Sequence, residues 1–408
     1  VDGLKLASVE EALSKLFSCW RPEVKLERVE LSEALGRVLG VDVVASMDVP
    51  PFDRSAVDGY AVRAEDTFEA EEARPVRLKM AFKVPIGSAP PRPIEPGECA
   101  YVATGSMLPE GCDAVVMLEY TREADGWVEL YRSVAPRENV VKRGSDVRRG
   151  ERLLRRGVRL RPRLLGLLAS QGLREVEVAV KPKVAIASTG AELVEPGGSL
   201  REGMVYDVNS TSLSAMAREA GCDVDSLGII PDDLRLLAQA LEGAASTHDL
   251  ILVSGGTSKG EGDLLPEALS QLPSAKLLVH GLALKPGKPT LLALIEGRPL
   301  VGLPGNPTSA MAVFHVLVEP IINAMLGALE EEALTLEAKA GVKMTSAKGR
   351  RELKFVRLER SCSELRAYPV STGSESISTY ALSHGYIDVA DGVEIIEEGE
   401  PVRVRLLR

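Results

Sequence analysis

The sequence predicts a multidomain protein of the α/β plus β class, with a central α/β domain built on a parallel sheet. Three observations lead there. Between residues 184 and 303, short apolar runs alternate with helix-spaced segments. Between residues 74 and 141, strand-like runs are separated by Gly and Pro clusters. Beyond residue 330 the helical signal fades into alternating strands. Strand alternating with helix implies right-handed crossovers and a parallel sheet, and such sheets bind ligands at the carboxyl ends of their strands.

Bulk properties agree. A chain of 408 residues holds about two to four domains. It is 45% hydrophobic and 26% charged, the balance of a soluble protein with a real core. The net charge of −10 argues against a nucleic-acid role, so any anion site must be a local pocket. The five cysteines are odd in number and lack Cys-x-x-Cys spacing, which points to reduced thiols and a cytoplasmic protein. The four histidines form no ligand pattern. The N-terminus shows no signal-peptide core. The apolar stretch 310–329 contains His315, Glu319 and Asn323, which favours a buried helix over a membrane span.

In chain order, residues 8–20 have helical apolar spacing, with Ser8 and Glu11 forming a capping box. Residues 32–39 read as a short helix leading into a strand at 41–44. Residues 47–62 hold Pro50-Pro51 and read as a long polar loop, in which Asp53, Arg54, Ser55 and Asp58 either form a site or brace a turn. Strands follow at 75–82, 99–102, 114–118 and 127–130, with a hydroxyl-rich turn at Thr104-Gly105-Ser106. Arg143-Gly144-Ser145-Asp146 is a compact charged turn whose default reading is a solvated face. Residues 162–171 read as a helix and 175–178 as a strand.

The α/β region starts near residue 182. Strands at 184–187, 224–230, 250–253 and 300–303 alternate with helices at 212–220 and 234–241. Four loops sit at strand carboxyl ends and should crowd onto one rim: Ser188 to Glu192, Pro231-Asp232-Asp233, Ser254-Gly255-Gly256-Thr257 and Pro304-Gly305-Asn306-Pro307. Glycine lets backbone N–H groups approach a ligand, and the last loop runs into an apolar helix whose N-terminus suits an anion. Lys285-Pro286-Gly287-Lys288-Pro289 adds two cations in a stiff turn, and Asp263 adds a carboxylate. That set suits a phosphate-bearing ligand together with a metal or oxyanion. Gly and Asp at strand ends are also ordinary turn chemistry. The C-terminal region alternates like a compact β domain at 353–358, 364–370, 386–389 and 402–407. There Arg350 and Ser374 could meet an anion, although arginines on a solvated β edge are the plainer reading.

The ordered set PPFDRSAVDGYAV, VATGS, KRGSDV, STGAEL, YDVNS, GIIPDD, SGGTSKGEGD, KPGKP, GLPGNPTSA and GRRE resembles the molybdopterin molybdenumtransferase family, whose eukaryotic relative is the gephyrin E domain. The resemblance spans nearly the whole chain. It implies an elongated discontinuous domain (1–47 and 147–180, with packing of the N-terminal helix elsewhere as the alternative), an inserted β domain (48–146), a molybdopterin-binding-like α/β domain (181–327) and a C-terminal β-barrel-like domain (328–408). It also implies a homodimer whose cleft lies between the α/β domain of one subunit and the inserted β domain of the other.

The implied reaction consumes adenylylated molybdopterin and molybdate or tungstate, with Mg2+ assisting, and releases AMP. A molybdopterin adenylyltransferase is a candidate partner; neither nucleic acid nor membrane is implied. Carried over residue by residue, Asp58, Asp232, Asp263 and Thr104 are the catalytic candidates, with Asp232 and Asp263 the metal ligands. Asp146, Glu192, Ser254, Gly255, Gly256, Thr257, Lys285, Lys288, Pro304, Gly305, Asn306, Arg350 and Ser374 are the substrate-binding candidates. Gly281 departs from the pattern, since bacterial members often carry a lysine there. The rival classes are a non-enzymatic molybdopterin carrier, a gephyrin-like scaffold, and an adenylyltransferase that would leave both β domains without purpose.

Overall fold

The computed structural model describes residues 6–257, 264–330, 334–361, 364–370, 373 and 375–407. Its centre is a six-stranded sheet in the order Asp223–Ile230, Lys183–Thr189, Leu250–Ser254, Arg298–Leu303, Leu291–Ile295 and Ala275–His280. The first four strands run parallel, as the strand–helix alternation predicts. The last two are antiparallel additions, so the sheet is mixed. The cause is local. Glu296 and Gly297 both adopt positive φ, 50° and 75°, and make a two-residue turn that can only join antiparallel neighbours.

Successive strand residues point to opposite faces, and the sheet is buried on both. Val184, Ile186, Leu250, Leu252, Val301 and Leu303 pack on one side against Leu213 and Ala217 of helix Val208–Glu219 and against Ala12 and Leu16 of helix Val9–Cys19. Ala185, Ala187, Ile251, Val253 and Leu300 face the other side, against Leu237 and Leu241 of helix Leu234–Thr247 and Leu265 and Leu269 of helix Leu264–Gln271. The apolar helix Pro307–Leu326 is 72% buried and belongs to the first core, so its length is that of a core helix.

Three further units surround this sheet. A six-stranded sheet runs in the order Ala114–Met117, Gly59–Val62, Glu98–Val102, Val76–Val84, Trp127–Leu130 and Thr121–Ala124. Short ladders pair Leu26–Glu30 with Glu175–Ala179 and Val43–Val44 with Arg152–Leu154, tying distant segments together. Near the C-terminus, Arg351–Ser361, Glu364–Pro369, Thr335–Ala340, Pro401–Leu406 and Gly385–Val389 pair in turn. The last strand returns to the first and closes a barrel without free edges.

Some element boundaries differ from those expected. The capping box at Ser8 and Glu11 is present. The helix expected at 32–39 shortens to one turn at Leu31–Glu33, because Gly36 takes φ 76° and donates its N–H to Leu160 O. The helix expected at 212–220 starts earlier, at Val208, because the Asp207 carboxylate caps it through Ser210 N.

Candidate functional site

The parallel strands deliver their loops to one rim, and there the molecule opens into a cavity of about 1360 Å3. Ser188 to Glu192, Asp232, Ser254 to Thr257 and Pro304 to Asn306 all line it. Lys285, Lys288 and Arg350 complete the wall.

The glycines of the Ser254 loop are there for space. Gly255 has φ 93°, and a Cβ on it would lie 2.3 Å from the Thr189 carbonyl oxygen. Gly256 has φ 63° and lies against the Thr189 hydroxyl. The two amides differ in what they can offer. Gly255 N–H is already donated to Leu303 O at 3.0 Å, so the expectation that it faces a ligand is corrected: it joins two strand ends. Gly256 N–H has no acceptor among the described residues.

At the next loop, Pro307 opens the long core helix at a position where its missing N–H costs nothing. The first-turn amides of Thr308 and Ser309 remain oriented for an anion. Thr308 Oγ1 also donates to Ser376 O at 2.7 Å, pinning part of the C-terminal region over this end of the cavity.

Charge is distributed unevenly around the cavity. Asp232 and Glu192 follow the first two strands in the sheet order, whereas Lys285 and Lys288 follow the strand at its far edge. Arg350 and Lys354 come from the barrel side. Asp232 Oδ2 accepts the Ala191 N–H at 3.0 Å, leaving its second oxygen without a described partner. Lys288 forms no ion pair with a described residue.

Several lining residues were not named as site candidates from sequence, although Ser188 and Thr189 belong to a segment expected on the rim. Ser188 Oγ and Thr189 Oγ1 are buried hydroxyls with no hydrogen-bond partner among the described residues, although both border the cavity. Buried hydroxyls are nearly always bonded, so two orphans at one rim mark a place where a ligand or water belongs. Asn209, 6% exposed, donates from Nδ2 to Ser254 Oγ and to Gly305 O, both at 2.7 Å. It ties two of the loops together. Glu352 is 6% exposed and accepts from Ser346 Oγ at 2.8 Å, Ala347 N at 3.0 Å and Lys354 Nζ at 2.9 Å. Burial is the largest single influence on Glu352 and raises its pKa. The donors from Lys354 and Ser346 together outweigh it and hold the carboxyl below its usual range.

Asp58, Thr104 and Asp146 lie elsewhere on the same chain and do not line the cavity. Asp58 and Thr104 meet each other: Asp58 Oδ1 accepts the Thr104 amide at 2.6 Å and its hydroxyl at 2.9 Å. The amide first, then the hydroxyl, hold the Asp58 carboxyl below the usual carboxylate range. Asp146 is exposed beside the Val49 backbone. Asp263 and Ser374 lie outside the described residues.

Gly281 has φ 102°, and a Cβ there would meet Leu6 Cδ2 at 2.8 Å. Ala7 N donates to Gly281 O and Ala283 N to Ala7 O, so the N-terminal segment occupies the space beside this position.

Three family models match in chain order: the MoeA N-terminal region (domain I and II) over residues 7–172, a probable molybdopterin binding domain over 185–324, and the MoeA C-terminal region (domain IV) over 337–407. The molybdopterin molybdenumtransferase of Bacillus subtilis is 34% identical over 407 residues, covering 98% of this chain and 94% of that one. The chain belongs to the molybdopterin molybdenumtransferase family. Molybdopterin molybdenumtransferase 2 of Mycobacterium tuberculosis is 33% identical over 381 residues, with 92% and 94% coverage. Two solved structures of the molybdopterin biosynthesis moeA protein from Pyrococcus horikoshii superpose with TM-scores of 0.84 and 0.85, at 37% and 33% identity, covering 99% of this chain and 100% of theirs. Membership places the chain among the transferases of molybdenum cofactor biosynthesis.

Proposed function

We propose that this chain inserts molybdenum, or tungsten, from its oxyanion into adenylylated molybdopterin and releases AMP. One observation carries the reading: a cavity on the carboxyl rim of the parallel strands has Lys285 and Lys288 at one end, where the buried Glu352 pairs with Lys285, and Asp232 and Glu192 at the other. The cationic end suits a phosphoanhydride, since ammonium groups and helix-terminal amides both stabilise phosphate oxygens. Lys285, Lys288 and the first-turn amides of Thr308 and Ser309 would hold it in place. The Ser188 and Thr189 hydroxyls, lacking partners among the described residues, would donate to the ligand. In the net reaction the two dithiolene thiols form two sulfur–metal bonds while one oxo ligand of the oxyanion leaves as water with the two thiol protons, and one water divides the phosphoanhydride so that the adenylate leaves as AMP.

Magnesium fits the donor set. It prefers hard oxygen ligands and commonly takes only one or two carboxylates, with phosphate oxygens and waters completing its shell. Asp232 presents a carboxylate with one oxygen fixed by Ala191 N–H and the other free of described partners. Asp232 and Asp263 would hold the ion, and its chemistry would be to withdraw charge from the phosphate being cleaved.

The remaining assignments have their own support. Asp58 and Thr104 form a pre-arranged, exposed pair outside their own chain's cavity, which suits delivery to the cavity of a second copy in a homodimer. The four described cysteines are unpaired, and burial pushes the Cys99, Cys112 and Cys222 thiols up to about 12, which suits a reducing cytoplasm. Separate hydrophobic cores support an inserted domain between residues 47 and 146, whereas the core of the central sheet also takes in Leu16 of the N-terminal helix and Phe355 and Tyr386 of the barrel. The substrate must be supplied by an adenylyl transfer onto molybdopterin, which makes a molybdopterin adenylyltransferase the natural partner. The deciding experiment is incubation of purified protein with adenylylated molybdopterin, molybdate and magnesium. AMP should accumulate in step with loss of the substrate. Tight binding of the substrate without any AMP would overturn the reading in favour of a carrier.

A further inference from the structure

Lys285 is attached to two parts of the fold at once. The two-residue strand Leu284–Lys285 lies parallel to the start of the barrel strand Arg351–Ser361, with Leu284 opposite Arg351 and Lys285 opposite Glu352. Arg351 N–H donates to Ala283 O at 3.1 Å, so the pairing is continuous with the preceding backbone. Lys285 Nζ reaches Glu352 Oε1 at 3.3 Å. The same oxygen accepts from Lys354 Nζ at 2.9 Å, and the other carboxylate oxygen is held by Ser346 Oγ and Ala347 N. The Lys354 ammonium is itself fixed by a bond to Thr345 O at 2.8 Å.

The arrangement exceeds what charge compensation requires. Glu352 already has a full countercharge in Lys354, whose side chain is 12% exposed. Lys285 adds a second cation, so the three side chains carry a net charge of +1. The Lys285 side chain is 47% exposed and borders the cavity, whereas that of Glu352 is 7% exposed. An ammonium has three N–H donors. Held by an ion pair beside a carboxylate that cannot move, it keeps its donors for an anion in the cavity, at a position set by the barrel. A free lysine side chain would have to surrender most of its rotamer freedom to reach the same place.

We propose that Glu352 is a positioning residue for the anion end of the site: it holds the Lys285 ammonium on the cavity wall and so couples seating of the barrel to capture of phosphate. This rests on the reading that the cavity takes a phosphate-bearing ligand. The anion-binding consequence has a definite sign. If Glu352 were only a negative charge near an anion site, removing it would tighten anion binding. If it positions Lys285, removing its charge weakens binding although the site becomes more positive.

The test compares wild type, E352Q, E352D, K285M and the E352Q/K285M double variant, all checked for folding by circular dichroism and thermal unfolding. AMP is the titrated probe, followed by calorimetry. E352Q should bind AMP about tenfold more weakly, the scale of one charge-assisted hydrogen bond, and E352D should recover part of the loss. In the K285M background E352Q should add nothing further, which a general structural effect would not produce. Tighter binding by E352Q, or equal losses in both backgrounds, would overturn the proposal. A second measurement needs no ligand: the rate at which the Lys285 amine is acylated by acetic anhydride at fixed pH, read by mass spectrometry. Freed from Glu352, Lys285 should react severalfold faster, and an unchanged rate counts against positioning. Wild type that fails to bind AMP would sink the phosphate reading alone, while the acylation rates still decide the role of Glu352.

Discussion

Asp58 accepts two hydrogen bonds from the same residue, one from the Thr104 amide and one from the Thr104 hydroxyl. Both stabilise the ionised carboxylate, so the folded-state pKa lies below the unfolded value. The stability this contributes is present above the unfolded pKa and is lost as pH falls through the folded pKa. In T104V the amide bond survives and the hydroxyl bond does not. The Asp58 carboxyl should therefore titrate at higher pH than in wild type, though still below an unperturbed aspartate. A carboxyl-carbon NMR titration reads this directly, and an unshifted Asp58 in T104V would remove the hydroxyl from the account.

Asn209 is the tie between the Ser254 and Gly305 loops. N209A removes the donor and leaves a buried hydroxyl and a carbonyl unpaired, at a cost of about 1–3 kcal/mol. Thermal unfolding should register the loss. AMP release should fall by more than stability alone explains, because two loops of the cavity become free to part. Full activity at a temperature where the variant is still folded would show that the tie serves stability only.

Gly281 departs from the lysine that the family resemblance leads one to expect, and the geometry argues against placing a lysine there. G281K places a side chain at φ 102° and against Leu6 Cδ2. The backbone conformation alone costs about 1–3 kcal/mol for a residue other than glycine. The expected result is a lower melting temperature with no gain in AMP affinity. A stable variant that binds AMP more tightly would mean that the N-terminal segment gives way.

The acidic candidates separate by their dependence on magnesium. D263A should abolish AMP release while the melting temperature stays within a few degrees of wild type. D232A should raise the magnesium concentration needed for half-maximal rate. D263A turnover at the wild-type level would remove Asp263 from the mechanism.

Much of this was legible in the chain. Alternation of apolar runs with helical spacing fixes strand direction locally, because a helical crossover returns the chain parallel to where it began. That is why the loops at Ser188, Asp232, Ser254 and Pro304 could be placed on one rim before any coordinates were considered. The lysines of KPGKP and the glycines of SGGT were visible for the same reason: short-range backbone chemistry leaves a compositional trace. What the sequence could not show depends on contacts between residues far apart in the chain. Asn209 lies in the YDVNS run, ahead of the helix read at 212–220, and shows no role until Ser254 and Gly305 fold around it. Glu352 reads as a charge on a β edge until the barrel strand pairs with Leu284–Lys285. The Gly255 amide was counted as free because its acceptor, Leu303, lies 48 positions away along the chain in a neighbouring strand. Periodicity reports which face of an element is buried, whereas hydrogen-bond saturation and the seating of one domain on another are set only when the elements meet.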